Sequence, residues 1–116
     1  MTVNNVYNSA IKLLGYNNLY LSIEDNDILK KRAVEFVNRI GFDLFEMPPA
    51  NSFLEEFIIP SGALEALIYG LCMLISLSEA DGDKNRLFTE LYNLKRTSFK
   101  SKITKISDVF PAGQEV

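Results

Sequence analysis

Hydrophobic positions along this chain recur mostly at spacings of three and four. The first set, Val3, Val6, Tyr7, Ala10, Leu13 and Leu14, is the face of one amphipathic helix, with Thr2 placed to cap it and Gly15 to stop it. The next stretch, "YNNLYLSIEDND", is rich in Asn and Asp, whose side chains compete for backbone hydrogen bonds, and it reads as a connector. A second stripe of Leu29, Ala33, Phe36, Val37, Ile40 and Leu44 predicts a helix starting between Ser22 and Asp27 and running to about Glu46. Lys30, Lys31, Arg32, Glu35, Asn38 and Arg39 mostly occupy its other side. Gly41 inside the stripe costs about 1 kcal/mol relative to Ala, which allows a kink or an early end, and Pro48 and Pro49 close the element.

In "ANSFLEEFIIP" the order Ser52, Phe53, Leu54, Glu55 fits a capping box, in which Ser52 and Glu55 satisfy each other's backbone amides, and predicts a short helical turn. Phe53, Leu54, Phe57 and Ile58, with Ile59, are a heavy apolar load for a connector. They either fold under the core or form an apolar interface. A third helix follows Pro60 and Ser61 and runs to Ala80, apolar at nearly every position from Ala63 to Leu77, so it belongs at the centre. Gly70, one turn after Ala66, would let another backbone approach closely. Leu87, Phe88, Leu91, Tyr92, Leu94 and Phe99 form the stripe of a fourth helix ending near Lys100, with Asn85, Thr89, Glu90, Asn93 and Arg96 facing away.

Four helical patterns, short connectors and no convincing alternating strand predict an all-α fold. It would be a compact bundle of about four helices built on a hairpin of the third and fourth, with an extended C-terminal arm. At 116 residues the chain makes one domain, residues 1–100 forming the bundle and 101–116 the arm. The longest apolar run, Ala66 to Leu77, is shorter than the roughly 20 residues that cross a bilayer, so a membrane span is not expected. The amino terminus lacks the charged start and apolar block of a signal peptide.

A net charge of -3 argues against a protein that coats nucleic acid with its whole surface, because that needs many cations to neutralise phosphates. The chain contains no histidine, which removes the commonest general base and transition-metal ligand. The single Cys72 lies in the apolar run and reads as a small buried hydrophobe.

The stretch "EADGDKNRLFTELY", Glu79 to Tyr92, sets Asp81, Asp83 and Asn85 at alternate positions, as a calcium loop would. Such a loop needs glycine at position six and a bidentate Glu at twelve, and counting from Asp81 these are Arg86 and Tyr92. The stretch reads instead as a hairpin corner, with Gly82 left-handed at the end of one helix and Asp83 capping the next. Glu55 and Glu56, being adjacent, diverge too far to act as an acid and base pair. No catalytic constellation, metal site or cofactor is expected, and the chain reads as a non-enzyme.

Charge is uneven along the chain. Lys95, Arg96, Lys100, Lys102 and Lys105 occur in one stretch with no acidic residue, while the remainder carries seven basic and fifteen acidic residues, a net of -8. The stretch suits an anionic partner, either DNA in a channel or the acidic surface of a neighbouring subunit; it also suits a solvated helix end whose cations complement the helix dipole. Beyond it, Ile103, Ile106, Val109 and Phe110 need burial, against the bundle or as an arm docked on a partner.

The succession of Tyr69 and Gly70 in an apolar helix, "DGD" at Asp81 to Asp83, Phe88, and "LYNLKR" from Leu91 to Arg96 resembles the head-to-tail connector (adaptor, or head-completion) proteins of tailed bacteriophages. The amino-terminal "NSAIKLLG", Asn8 to Gly15, is similar as well, and the resemblance spans about residues 3 to 100. It implies an all-helical, non-enzymatic structural protein that forms a homo-oligomeric ring in the virion between the portal protein and the tail-side connector. Packaged DNA would pass through the ring, and assembly would start from subunits in the bacterial cytoplasm. It also implies that the Lys95 to Lys105 stretch faces the channel or a neighbouring subunit, and that the arm reaches a partner. The alternative is a small cytoplasmic helical protein-binding or regulatory module that docks through "FLEEFII".

Overall fold

In a computed structural model the backbone is described from Met1 to Glu115 and the side chains from Met1 to Lys102, Glu24 excepted. The first helix, α1 (Val3–Leu14), forms as its caps demand. The Thr2 hydroxyl accepts from the Asn5 amide at 3.1 Å, and the Asn5 side chain accepts from the Thr2 amide at 3.1 Å. Gly15, at φ 80°, ends the helix by donating to Ile11 and Lys12. Its buried face contains Ile11, whereas Leu13, expected there, is 52% exposed. The two residues lie on opposite margins of the stripe, and the neighbouring helices cover only one margin.

The Asn-rich connector is itself largely helical: α2 (Asn17–Ser22) leads into a 3-10 turn at Ile23–Asp25. Ile23, 1% exposed, pins this segment to the core. The next helix, α3 (Asp27–Phe45), starts where Asn26 caps the Leu29 amide at 3.0 Å. It passes through Gly41 without ending. A Cβ at Gly41 would come within 2.6 Å of Met47 Sδ, so the glycine makes room for the chain to fold back over the helix end. There the Met47 amide donates to the Gly41 carbonyl, and Glu46 adopts a left-handed φ of 53°.

The central helix, α4 (Leu64–Ser78), packs against α1, α3 and α5, and buries Ala66, Leu67, Gly70, Leu71, Cys72, Leu74 and Ile75. This is the central position that an all-round apolar helix requires. Gly70 does receive a close neighbour, but from side chains: a Cβ there would meet Ile40 Cγ2 at 2.6 Å and the Tyr92 ring at 2.9 Å. The last helix, α5 (Gly82–Glu115), pairs with α4 as a hairpin and continues well past Lys100, where the sequence pattern ends it. The arm's backbone is therefore helical. The fold is all-α, with α1, α3 and α5 packed round α4 and α2 lying against α1, and among the described residues pairing outside helices amounts to one isolated bridge, Thr2 with Glu56.

The core-facing stripe of α5 is rotated from the expected one. Phe88, Tyr92 and Phe99 are buried, but Leu87 and Leu94 are 50% and 67% exposed. Asn85 and Arg96, expected to face away, complete the inward line 85, 88, 92, 96, 99, and each hydrogen-bonds to another helix.

Candidate interaction surfaces

The corner between α4 and α5 is fastened by polar contacts to the end of α1. Ala80 takes the left-handed turn, at φ 56°, and Asp81 is the cap, accepting from the Lys84 amide at 3.2 Å. Both roles thus fall two residues before Gly82 and Asp83, where the sequence placed them. The shift follows from the link between α1 and α2, because the Tyr16 hydroxyl donates to the second Asp81 oxygen at 2.7 Å and holds Asp81 at the turn. Lys84 then lies over the Tyr16 ring, 4.6 Å from its centre, and donates to the Leu14 carbonyl at 2.6 Å, where the negative end of α1 favours a cation. Hydrogen bonding from Tyr16 and the Lys84 amide keeps the Asp81 carboxyl below its usual range, while burial and the Asp81 bond push the Tyr16 phenol up.

A second cluster ties α3 to α5. Arg96 grips Asp43 with two parallel bonds, Nε to Oδ2 at 2.7 Å and Nη2 to Oδ1 at 3.1 Å, and the Tyr92 hydroxyl donates to the same Oδ2. The guanidinium, helped by the Tyr92 hydroxyl, holds the Asp43 carboxyl low; burial and the carboxylate push the Tyr92 phenol up. In a third cluster Lys95 lies 3.3 Å from Glu65, which also accepts from the Tyr69 hydroxyl at 3.0 Å and so joins α4 to α5.

These clusters decide how the basic stretch presents itself. Lys95 and Arg96 are paired within the chain, Lys100 lies close enough to Asp43 to help depress its carboxyl, and Lys102 is exposed. Lys105 lies outside the described residues, as do the arm side chains Ile103, Ile106, Val109 and Phe110. The stretch therefore spends part of its charge holding helices together.

The residues of "FLEEFII" behave differently from the expected helical turn. Glu55 accepts from the Asn51 amide at 3.0 Å rather than from Ser52, and the Glu55 amide closes a turn onto the Ser52 carbonyl at 3.3 Å. The chain then runs extended beside the amino terminus, Asn4 donating to Phe53 at 3.0 Å and Phe57 to Met1 at 2.8 Å. Exposure alternates along it. Phe53, Phe57 and Ile59 pack against the core, while Leu54 and Ile58 are 70% and 90% exposed. The four apolar residues singled out in the sequence thus divide into two inward anchors and two outward side chains.

A groove of about 440 Å³ opens at the Leu54 end, lined by Asn4, Lys30, Ser52, Phe53 and Leu54. Sequence reasoning missed the exposure of Leu87 and Leu94 on α5 and of Ile28 and Phe42 on α3, 79% and 65% exposed. The second pair caps a charged face of Lys31, Glu35 and Arg39, a spacing that could have revealed it.

Cys72 is buried, its thiol pushed up to about 12 by burial, so it stays protonated at neutral pH. Among the described residues no three His, Cys, Asp or Glu side chains gather to hold a metal, and no helix is long and apolar enough to cross a membrane. The arrangement is that of a helical domain whose ionisable clusters act as fasteners between helices and whose outward apolar side chains are available for binding. Comparison with protein-family models, curated proteins and solved structures finds no match.

Proposed function

We propose that this chain is a structural head-to-tail connector of a tailed-phage or prophage particle, forming a ring between portal and tail through which DNA passes. The observation that carries the reading is that the resembling stretches from Tyr69 to Arg96 meet in one packed unit, the α4–α5 hairpin. The Tyr69 and Phe88 rings lie 6.0 Å apart, Tyr92 fills the space left at Gly70, and the Tyr69 hydroxyl and Lys95 share Glu65. Residues distant in sequence that pack together act as one motif rather than as scattered coincidences. Outward Leu87 and Leu94, two turns apart on α5, add apolar surface of the kind subunit contacts use.

The test is assembly. The purified chain, alone and mixed with a tailed-phage portal protein, is examined by multi-angle light scattering and negative-stain microscopy. Rings or a stable portal complex are expected; a monomer at high concentration that ignores the portal overturns the reading. The outward Leu54 and Ile58 favour a second reading, a small cytoplasmic binding or regulatory module. That reading predicts a monomer whose binding to a non-viral protein is lost in the Leu54→Ser, Ile58→Ser double variant.

A further inference from the structure

We propose that the outer edge of the segment from Glu55 to Ile59 accepts an extended strand of another protein, one carrying a basic side chain and, two positions away, an apolar one. The proposal stands independently of the connector reading, since it rests on this edge alone.

The segment already makes one isolated antiparallel bridge to the amino terminus. Its inner edge is occupied by the amino terminus through the bond from Phe57 to Met1, while the bond from Asn4 to Phe53 holds the Ser52–Glu55 turn that precedes it. Glu56 sits opposite Thr2 in the antiparallel bridge, with the Phe57 to Met1 bond beside it rather than through it. In that geometry the N–H and C=O of Glu56 point away from the amino-terminal strand. Those of Ile58, two residues on, point the same way. Among the described residues neither backbone has a hydrogen-bond partner. Such an edge is a template for one more strand, and backbone pairing of this kind selects an extended occupant over a helical one.

The side chains on that edge narrow the partner further. Leu54, Glu56 and Ile58 are exposed, alternating with the inward Phe53, Phe57 and Ile59. Glu56 has no ion pair among the described residues, so a carboxylate stands unneutralised between two apolar neighbours. Cross-strand neighbours on one face prefer opposite charges and apolar contacts, and like charges directly opposite are unfavourable. A second copy pairing antiparallel about Glu56 would set two Glu56 carboxylates against each other. The same edge therefore disfavours that self-pairing and favours a partner with Lys or Arg opposite Glu56 and an apolar residue opposite Ile58, with Leu54 exposed on the turn at the start of the edge. Pro60 lacks an amide and closes the pairing at the far end, so the docked strand is short.

The probe is an end-blocked peptide, Thr-Val-Thr-Lys-Thr-Val-Thr, compared with its counterpart carrying Glu in place of Lys, each titrated into the full chain with amide NMR as the readout. Expected are shifts centred on Glu56 and Ile58, an affinity for the basic peptide about fivefold or more above that for the acidic one, and reversal of this preference in Glu56→Lys. Ile58→Pro removes one outward amide from an exposed, unpaired position, so it should keep the wild-type melting temperature and lose the peptide. Three results would each overturn the proposal: shifts that map elsewhere or no binding at all, equal affinity for both peptides in wild type and Glu56→Lys, or wild-type affinity in a folded Ile58→Pro. Concentration-dependent changes at Glu56 and Ile58 without peptide would identify a second copy as the occupant and overturn it as well.

Discussion

Between α4 and α5 the chain turns in three residues, Glu79 to Asp81, whereas between α3 and α4 it takes eighteen, Glu46 to Ala63. The short corner directs its polar groups inward. Asp81 binds Tyr16 and the Lys84 amide, Lys84 reaches the Leu14 carbonyl, and Arg32 of α3 lies 3.6 Å from Glu79. The long connection does the reverse beyond its anchor, turning Leu54 and Ile58 outward. That anchor is Asn38 of α3, which accepts from the Ala50 amide at 2.8 Å and donates to the Ala50 carbonyl at 2.9 Å, copying a strand partner with a side chain. The difference teaches that a connection's length says little about its role: the corner holds helices together, while the long segment is held at a few points and presents the rest.

Four substitutions test that contrast. The largest effect is expected at the anchor. Asn38→Ala deletes both bonds and strands the Ala50 amide, which is buried at 4% exposure, so a loss of about 2 kcal/mol is expected in chemical denaturation. Next is the corner, where Lys84→Met keeps the length of the side chain but removes the cation from the end of α1. A loss of about 0.5–1 kcal/mol is expected, shrinking as salt is added; a loss unchanged by salt would show that packing over Tyr16, not charge, carries the contact. Smallest is the outward edge. Leu54→Ser and Ile58→Ser should each alter stability by less than about 0.5 kcal/mol, because neither side chain leaves a core, and a larger loss would place them among the residues that hold the segment down.

Much of the scaffold was readable in the chain because its signals are local. Thr2 and Gly15 bound α1 as their chemistry requires, and Asn26, inside the window where a start was expected, caps α3. The centrality of α4 followed from its being apolar all round. The candidate surfaces were read less well. Arg96 counted as an outward cation, yet Asp43, 53 residues away in sequence, turns it inward. Leu87 and Leu94 counted as core because they are leucines on a plausible stripe, and only the position of α3 and α4 around α5 shows that they face out. Ser52 and Glu55 matched a capping box in spacing, but pairing with residues 1–4 draws the following segment into an extended conformation.

Four of the five helices, most of their starts and the all-α class were legible in the chain, since caps and periodicity act within a turn or two of the backbone; the helical connector α2 and the extent of α5 were not. Tertiary structure decided how α5 is rotated, which corner residue takes the left-handed turn, and that Glu56 and Ile58 leave their backbone groups unpaired at the surface. Those choices depend on Asp43, Tyr16 and the amino terminus, groups that meet these segments only after the chain has folded.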